Sequence, residues 1–152
     1  MYELITQIEI DSSPEKIWQA LTDFESYPQW NPSIRSIVGK PVTGAKIKVT
    51  YNPRDSFVKM KFTVEITNCE RDREFRWLGL FVFPALFAGD HYMTIEPVTD
   101  GRSRLIHGEL FSGLLKPVVW FLLAKLNKRA FEEMNQALKD YVEKAKLDAV
   151  RN

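Results

Sequence analysis

The sequence has little of several residue types on which particular kinds of function depend. One cysteine, Cys69, occurs in 152 residues, which excludes an internal disulfide and metal motifs built on paired cysteines. Lys and Arg total 21 against 20 for Asp and Glu, and no basic run alternates with aromatic residues as a nucleic-acid groove requires. Nucleic acid is therefore not expected as a partner.

The chain also lacks long apolar runs. No stretch approaches the roughly 20 residues that span a bilayer, and the first residues, MYELITQIEID, lack the basic and apolar regions of a signal peptide. A lone thiol fits a reducing compartment. We therefore expect a cytoplasmic protein. No linker rich in Gly, Ser or Pro divides the sequence, so residues 1–152 are predicted to form one domain.

What the chain does have is two hydrophobic periodicities, which predict an α+β fold. Alternation of apolar and polar residues predicts strands, at residues 2–10, 34–38, 47–51, 58–67, 75–77 and 89–97 and within the stretch 104–115. After the first strand, Ser12 or Ser13 can cap a helix that begins at Pro14 and ends near Asp23, before the two prolines of ESYPQWNP. Helical spacing from about residue 116 to 146 predicts a helix roughly 45 Å long.

The last two predicted strands can be placed in register. A three-residue loop, Thr99 to Gly101, would end with Gly where a left-handed conformation is needed, and it pairs Val98 with Arg102. On one face this register sets Ile95 against Leu105, Met93 against His107 and His91 against Glu109. On the other it sets Glu96 against Arg104 and Thr94 against Ile106, with Tyr92 over Gly108. Charges match on one face and apolar residues on the other.

This register predicts that several polar side chains are buried inside the protein. The face that carries Met93 and Ile95 should look toward the long helix, together with His91, His107 and Glu109. Burying a lone carboxylate costs several kcal/mol. Glu109 must therefore pair with His91, be protonated, or touch water in a cavity.

The order of these elements, with the motifs YPQWNP, GDH-x-M-x-I and H-x-E-x-F-x-G-L-L, resembles the START-like superfamily over essentially the whole chain. This helix-grip group includes lipid-transfer domains, birch-pollen-type allergens and coenzyme Q-binding proteins. The sequence is most similar to its small bacterial polyketide cyclase/dehydrase or lipid-transport members. The resemblance implies a curved antiparallel sheet wrapped around the C-terminal helix, with two short helices after the first strand and a hydrophobic cavity between sheet and long helix.

Positions of this sequence match segments of that family. Residues 30–32 match the segment that closes one end of the sheet, Glu109 and Phe111 match the cavity-facing last strand, and residues 113–115 match the turn into the helix. The catalytic residues of the aromatase/cyclases have no clear counterpart here. What the resemblance implies as ligand is a small hydrophobic molecule, such as a lipid, a polyketide or an isoprenoid-like compound.

The residues expected to contact such a ligand combine aromatic, apolar and polar side chains. They are Phe24, Trp30, Phe62, Trp77, His91, Met93, His107, Glu109, Phe111, Leu115, Val119 and Met134. Any one of the aromatic residues could instead belong to an ordinary core.

Three interpretations of His91, His107 and Glu109 follow from their chemistry. Two histidines and a carboxylate have the composition of a non-haem iron or zinc site. A Glu in an apolar pocket can act as general acid or base, which would make the protein a cyclase- or dehydrase-type enzyme. The favoured interpretation is that they bond to each other or to a ligand's polar end. Neither a metal nor a cofactor is therefore expected, and a binding or transport protein is expected over an enzyme.

Two segments, residues 78–89 and 118–124, are too apolar to be left exposed to water. We expect them to pack against each other. Alternatively they form a gate that contacts membranes transiently through residues 80–88 and 118–124, or a protein-interaction surface. The same apolar patch could be a dimer contact, so the sequence does not fix the oligomeric state.

Overall fold

The computed structural model describes residues 2–53, 59–81 and 86–151. Within them the strands are Glu3–Ile10 (β1), Ile34–Val38 (β2), Lys46–Tyr51 (β3), Met60–Glu70 (β4), Glu74–Phe81 (β5), Phe87–Thr99 (β6) and Arg102–Ser112 (β7). The helices are Pro14–Thr22 (α1), a 3-10 turn at Phe24–Ser26, Tyr27–Trp30 (α2) and Lys116–Arg151 (α3). The predicted α+β fold, with short helices after the first strand, is confirmed. Val58, placed in the predicted fourth strand, lies outside the described residues.

The strands form one curved antiparallel sheet in the order β1-β7-β6-β5-β4-β3-β2. Helix α3 lies across it and contacts β1 and β7. Met134, Leu138 and Val142 of α3 pack into the core formed by the inward faces of the strands, because helical spacing places them on one stripe. This is the helix-grip arrangement. None of the helices that the structure describes is long and apolar enough to cross a bilayer.

The predicted register of the last hairpin is confirmed from Ala88 opposite Ser112 to Pro97 opposite Ser103. The predicted three-residue loop is wrong, because Thr99 rather than Val98 pairs with Arg102. A bulge between Pro97 and Thr99 takes up the extra residue, next to a proline that has no amide to donate to the ladder. Gly101, with φ at +73°, occupies the left-handed position as expected.

The segment before β2 closes one end of the sheet. Ser13 Oγ accepts a hydrogen bond from the Lys16 amide at 3.4 Å and caps α1, which starts at Pro14. The buried Tyr27 hydroxyl donates to the Leu21 carbonyl at 2.8 Å, and the Asn31 side-chain oxygen accepts from the amides of Ser33 and Ile34. The bonds of Tyr27 and Asn31 pair buried polar atoms and join α2 to α1 and to the start of β2. The Asn31 side-chain nitrogen is buried without a hydrogen-bond partner among the described residues.

Candidate ligand-binding cavity

A cavity of about 290 Å³ lies between the strands and the middle of α3. Aromatic side chains from five strands and the helix dominate its lining, namely Tyr51, Phe62, Trp77, Phe87, Phe111 and Phe131. The described lining residues include no Lys or Arg. A larger depression of about 560 Å³ lies between α1 and the end of α3, but it is an outer groove away from His91 and Glu109. We therefore take the cavity under α3 as the candidate site.

The structure brings half of the sequence-predicted contact residues to this cavity. Its lining includes Phe62, Trp77, His91, Glu109, Phe111 and Met134. Three others pack in the core instead, with Phe24 against Phe75, Trp30 stacked on Tyr141, and Met93 fully buried. They fill space at the closed end because α1 and α2 cover the sheet there.

The other predicted residues lie beside the cavity or outside what is described. His107 is fully buried one layer behind His91. Leu115 lies in the exposed turn before α3, where its amide donates to the Leu86 carbonyl at 3.0 Å. The side chain of Val119 lies outside the described part of the structure.

A chain of hydrogen bonds links β1, α3, β7 and β6 behind the cavity. The Asn135 amide nitrogen donates to Thr6 Oγ1 at 2.9 Å, and the Thr6 hydroxyl donates to the His107 carbonyl at 3.1 Å. The Asn135 oxygen, which can only accept, lies 2.7 Å from His107 Nδ1, so that nitrogen carries a proton. In a neutral ring, His107 Nε2 then accepts from His91 Nε2 at 3.1 Å.

Both imidazoles are held neutral. Burial lowers the pKa of His107 to about 4, against a weaker opposing effect of the Asn135 hydrogen bond. Burial, and then the neighbouring His107, lower the pKa of His91 well below its usual 6.5. Ring stacking fixes their planes, His107 on Phe131 with centroids 3.9 Å apart and His91 on Trp77 at 4.5 Å. This chain of hydrogen bonds therefore fixes one tautomer for each imidazole ring at neutral pH.

Glu109 is an ionisable group of the cavity lining whose carboxyl group receives no stabilising hydrogen bond from the described residues. It lines the cavity, yet protein surrounds it so closely that burial, and then the charge of Asp90, raise its pKa to about 7. It faces His91 across the strands, but among the described residues no donor bonds to its carboxyl group. The expected His91 bond is not formed, because His91 donates to His107 instead. Of the options open to Glu109, protonation or contact with cavity water remains.

Gly89 makes room for this carboxyl group. It lies two residues before His91 on β6 and lines the cavity. A Cβ at residue 89 would overlap a carboxylate oxygen of Glu109. A side chain there would therefore push the carboxyl group from its present place.

Sequence reasoning missed Thr6 and Asn135, although both leave a signal. Thr6 is the polar exception on the inward face of β1 and is buried. Asn135 is 1% exposed and lies four residues after Phe131 and three before Leu138, on the apolar stripe of α3. A buried amide on such a stripe requires a partner, but the sequence does not say which.

No group of three or more His, Cys, Asp or Glu side chains is arranged to hold a metal ion within the described residues. The two imidazoles face each other through their Nε2 atoms at hydrogen-bond distance. That contact uses the lone pair that a metal would need on His107.

Comparisons with known proteins agree with the fold and with each other. Residues 1–143 match the family described as polyketide cyclase/dehydrase and lipid transport. No curated protein matches the chain in sequence.

Among solved structures, a START superfamily protein from Mycobacterium smegmatis aligns with 94% of this chain and 98% of its own, at 19% identity and a TM-score of 0.74. The ZhuI aromatase/cyclase from a Streptomyces species aligns over 93% of both chains, at 11% identity and a TM-score of 0.71. Norcoclaurine synthase from Thalictrum flavum, solved with dopamine and hydroxybenzaldehyde, aligns over 93% of this chain and 86% of its own, at 12% identity and 0.69. At these identities the likeness shows the fold alone.

Proposed function

Because the chain belongs to the polyketide cyclase/dehydrase and lipid-transport family, we propose that it binds a small hydrophobic molecule between the sheet and α3. The observation that carries this proposal is the aromatic-lined cavity that ends at His91 and Glu109. A ligand that buries about 200 Å² of apolar surface there would gain roughly 5 kcal/mol before the costs of association. The polar groups at the end of the cavity would orient it.

Filling the cavity should abolish binding. Ala130 lines it from α3, and Ala130→Trp would place an indole in the ligand's volume. We expect at least a hundredfold loss of affinity for the neutral fluorophore 1-aminoanthracene, measured by fluorescence titration. Ala149→Trp makes the same change on an exposed position of the same helix and should leave affinity within twofold. Equal affinities in the two variants would place the ligand elsewhere.

A cyclase- or dehydrase-type enzyme is the second candidate function. It is favoured by one observation, a cavity carboxyl group whose pKa of about 7 suits proton transfer at neutral pH. Native mass spectrometry of the purified protein, followed by extraction, would identify any molecule it carries. An enzyme would convert that molecule, with a pH profile lost in Glu109→Gln, whereas a carrier would release it unchanged.

We further propose that the start of α3 contacts a membrane as ligand is exchanged. Phe121 is 87% exposed, so the expected mutual cover of residues 78–89 and 118–124 does not extend to it. Leu114, just before the helix, is 81% exposed. Trp120, by contrast, turns inward onto Tyr2 and Phe111. Residues 82–85 of the partner segment lie outside the described residues.

The charges around this surface favour an anionic bilayer. From residue 110 to 131 the sequence has four basic residues and no acidic one, and Lys125 lies one helical turn after Phe121. Apolar side chains that insert beside lysines are typical of interfacial helices.

Membrane contact is tested by flotation with vesicles that contain about a third phosphatidylglycerol. Wild-type protein should float, and Phe121→Asp should lower the bound fraction several-fold because a charge replaces the inserting ring. Val150→Asp alters a residue of similar exposure, 81%, at the far end of the same helix, and this variant should float like wild type. Failure of wild-type protein to bind any vesicle would end this part of the proposal.

A further inference from the structure

We propose that the polar end of the cavity selects apolar molecules that end in a hydrogen-bond donor without negative charge, a hydroxyl or an amino group, and rejects anionic ligands such as fatty acids. This inference rests on the proposed binding function and names the ligand class. Its basis is the pattern of donors, acceptors and charges around His91 and Glu109.

The tautomer of His91 determines which of its ring nitrogens can accept a hydrogen bond. Its Nε2 donates to His107, whose own tautomer is set by the Asn135 oxygen. In a neutral ring the remaining nitrogen, Nδ1, bears a lone pair and can only accept. No hydrogen bond reaches that nitrogen from the described residues. His91 lines the cavity, and Nδ1 is the ring nitrogen that its contact with His107 leaves for a ligand.

Glu109 provides a second acceptor beside His91. Its carboxyl group shares the cavity with His91, opposite it in the sheet, and no described residue donates a hydrogen bond to it. When ionised it is a second acceptor, and when protonated it still offers a carbonyl oxygen. A ligand hydroxyl or amino group can therefore satisfy two acceptors that the protein leaves open.

The charges near the cavity determine how it receives an anion. Burial, and then the charge of Asp90, raise the pKa of Glu109. Burial is also the main cause that raises the pKa of Tyr51, against a Ser33 hydrogen bond, with smaller contributions from the charges of Glu133 and Glu109. The Asp90 side chain is already paired with Arg76 at 2.9 Å. The lining has no Lys or Arg among its described residues, and its neutral donors come from side chains such as Ser33, Tyr51 and Asn127. An anion would lose its hydration without gaining a counter-charge.

Binding of a matched naphthalene series tests this selection. We would titrate wild-type protein at pH 7 with 2-naphthol, 2-naphthylmethylamine and 2-naphthoate by calorimetry, using 1-aminoanthracene as the neutral reference ligand. The alcohol and the amine should bind at least tenfold more tightly than the carboxylate. The amine should gain affinity as the pH rises and Glu109 ionises, whereas the alcohol should not.

A Glu109→Gln variant should reduce the difference in affinity between 2-naphthylmethylamine and 2-naphthoate. Glutamine removes the negative charge and supplies an amide donor, so 2-naphthoate should gain affinity while the amine loses it. Glu65→Gln, on the exposed face of β4, should leave the affinities for 2-naphthoate and for the amine unchanged. If 1-aminoanthracene binds but naphthoate binds as well as naphthol, the inference fails while the proposed function stands. If no compound binds, including the reference, both fail.

The tautomer of His91 can be measured without any substitution at that residue. The sequence contains two histidines, so ring ¹⁵N resonances of uniformly labelled protein can be assigned with one His107→Gln variant. We expect Nδ1 of His91 to show the shift of an unprotonated nitrogen and Nδ1 of His107 that of a protonated one. A protonated Nδ1 on His91 in the free protein would overturn the inference.

Discussion

Replacing Glu109 with Gln should stabilise the protein at pH 8 by about 3 kcal/mol and leave its stability at pH 4.5 nearly unchanged. Burial, and then Asp90, raise the pKa of Glu109 from 4.5 to about 7. Between these pH values the folded protein holds a proton that the unfolded chain has lost. Its stability therefore falls as the pH rises from 4.5 to 7, and glutamine, which is neutral throughout, avoids that loss.

The free energy of unfolding in urea at pH 4.5, 6 and 8 measures this effect. The difference between Glu109→Gln and wild type should grow with pH over this range and then level off. Glu65→Gln is the matched control on an exposed strand face, and a surface change of this kind should stay within about 0.5 kcal/mol. A Glu109→Gln variant less stable than wild type at pH 8 would mean that the carboxylate is paired in solution.

Acid should destabilise the protein through its two buried histidines, and this is clearest in the Glu109→Gln background. Burial lowers the pKa of His107 from 6.5 to about 4, so between these values the unfolded chain binds a proton that the folded protein does not. Stability is then complete above pH 6.5 and falls as the pH decreases, by about 3 kcal/mol for His107 alone. His91, whose pKa is also lowered, adds to the loss.

In wild-type protein the titration of Glu109 opposes this loss, because its proton stabilises the folded state at low pH. Urea unfolding of Glu109→Gln at pH 7, 5.5 and 4 isolates the histidine contribution. Adding His107→Gln, whose amide can both donate to Asn135 and accept from His91, should reduce the fall by about 3 kcal/mol. A fall of the same size with and without His107 would assign acid sensitivity to other groups.

The sequence by itself determined the elements and the faces they present. The capping residue Ser13 and the following Pro14 predict where α1 begins, and the helix begins there. The alternation of apolar and polar residues in β6 and β7 predicts the register in which these strands pair. Both are local patterns, set by neighbours within one helix turn or across one hairpin. That is why the alternation is sufficient to place His91, His107 and Glu109 on the inward face, even though the loop predicted between the two strands is wrong.

Only the tertiary structure decided how those three side chains are used. The register makes His91 and Glu109 direct partners, yet His91 bonds to its diagonal neighbour His107. The difference comes from α3, which places Asn135 at His107 and Thr6, residues 28 and 129 positions away in the chain.

The same holds for the cavity. Phe24 and Trp30 fill the closed end of the core while Phe62 and Phe111 line the cavity, although all four are aromatic residues on inward faces. Periodicity records which face of an element is apolar. The packing of the whole chain determines how far α3 lies from each strand. That distance decides whether an aromatic ring contacts another ring or borders an open space.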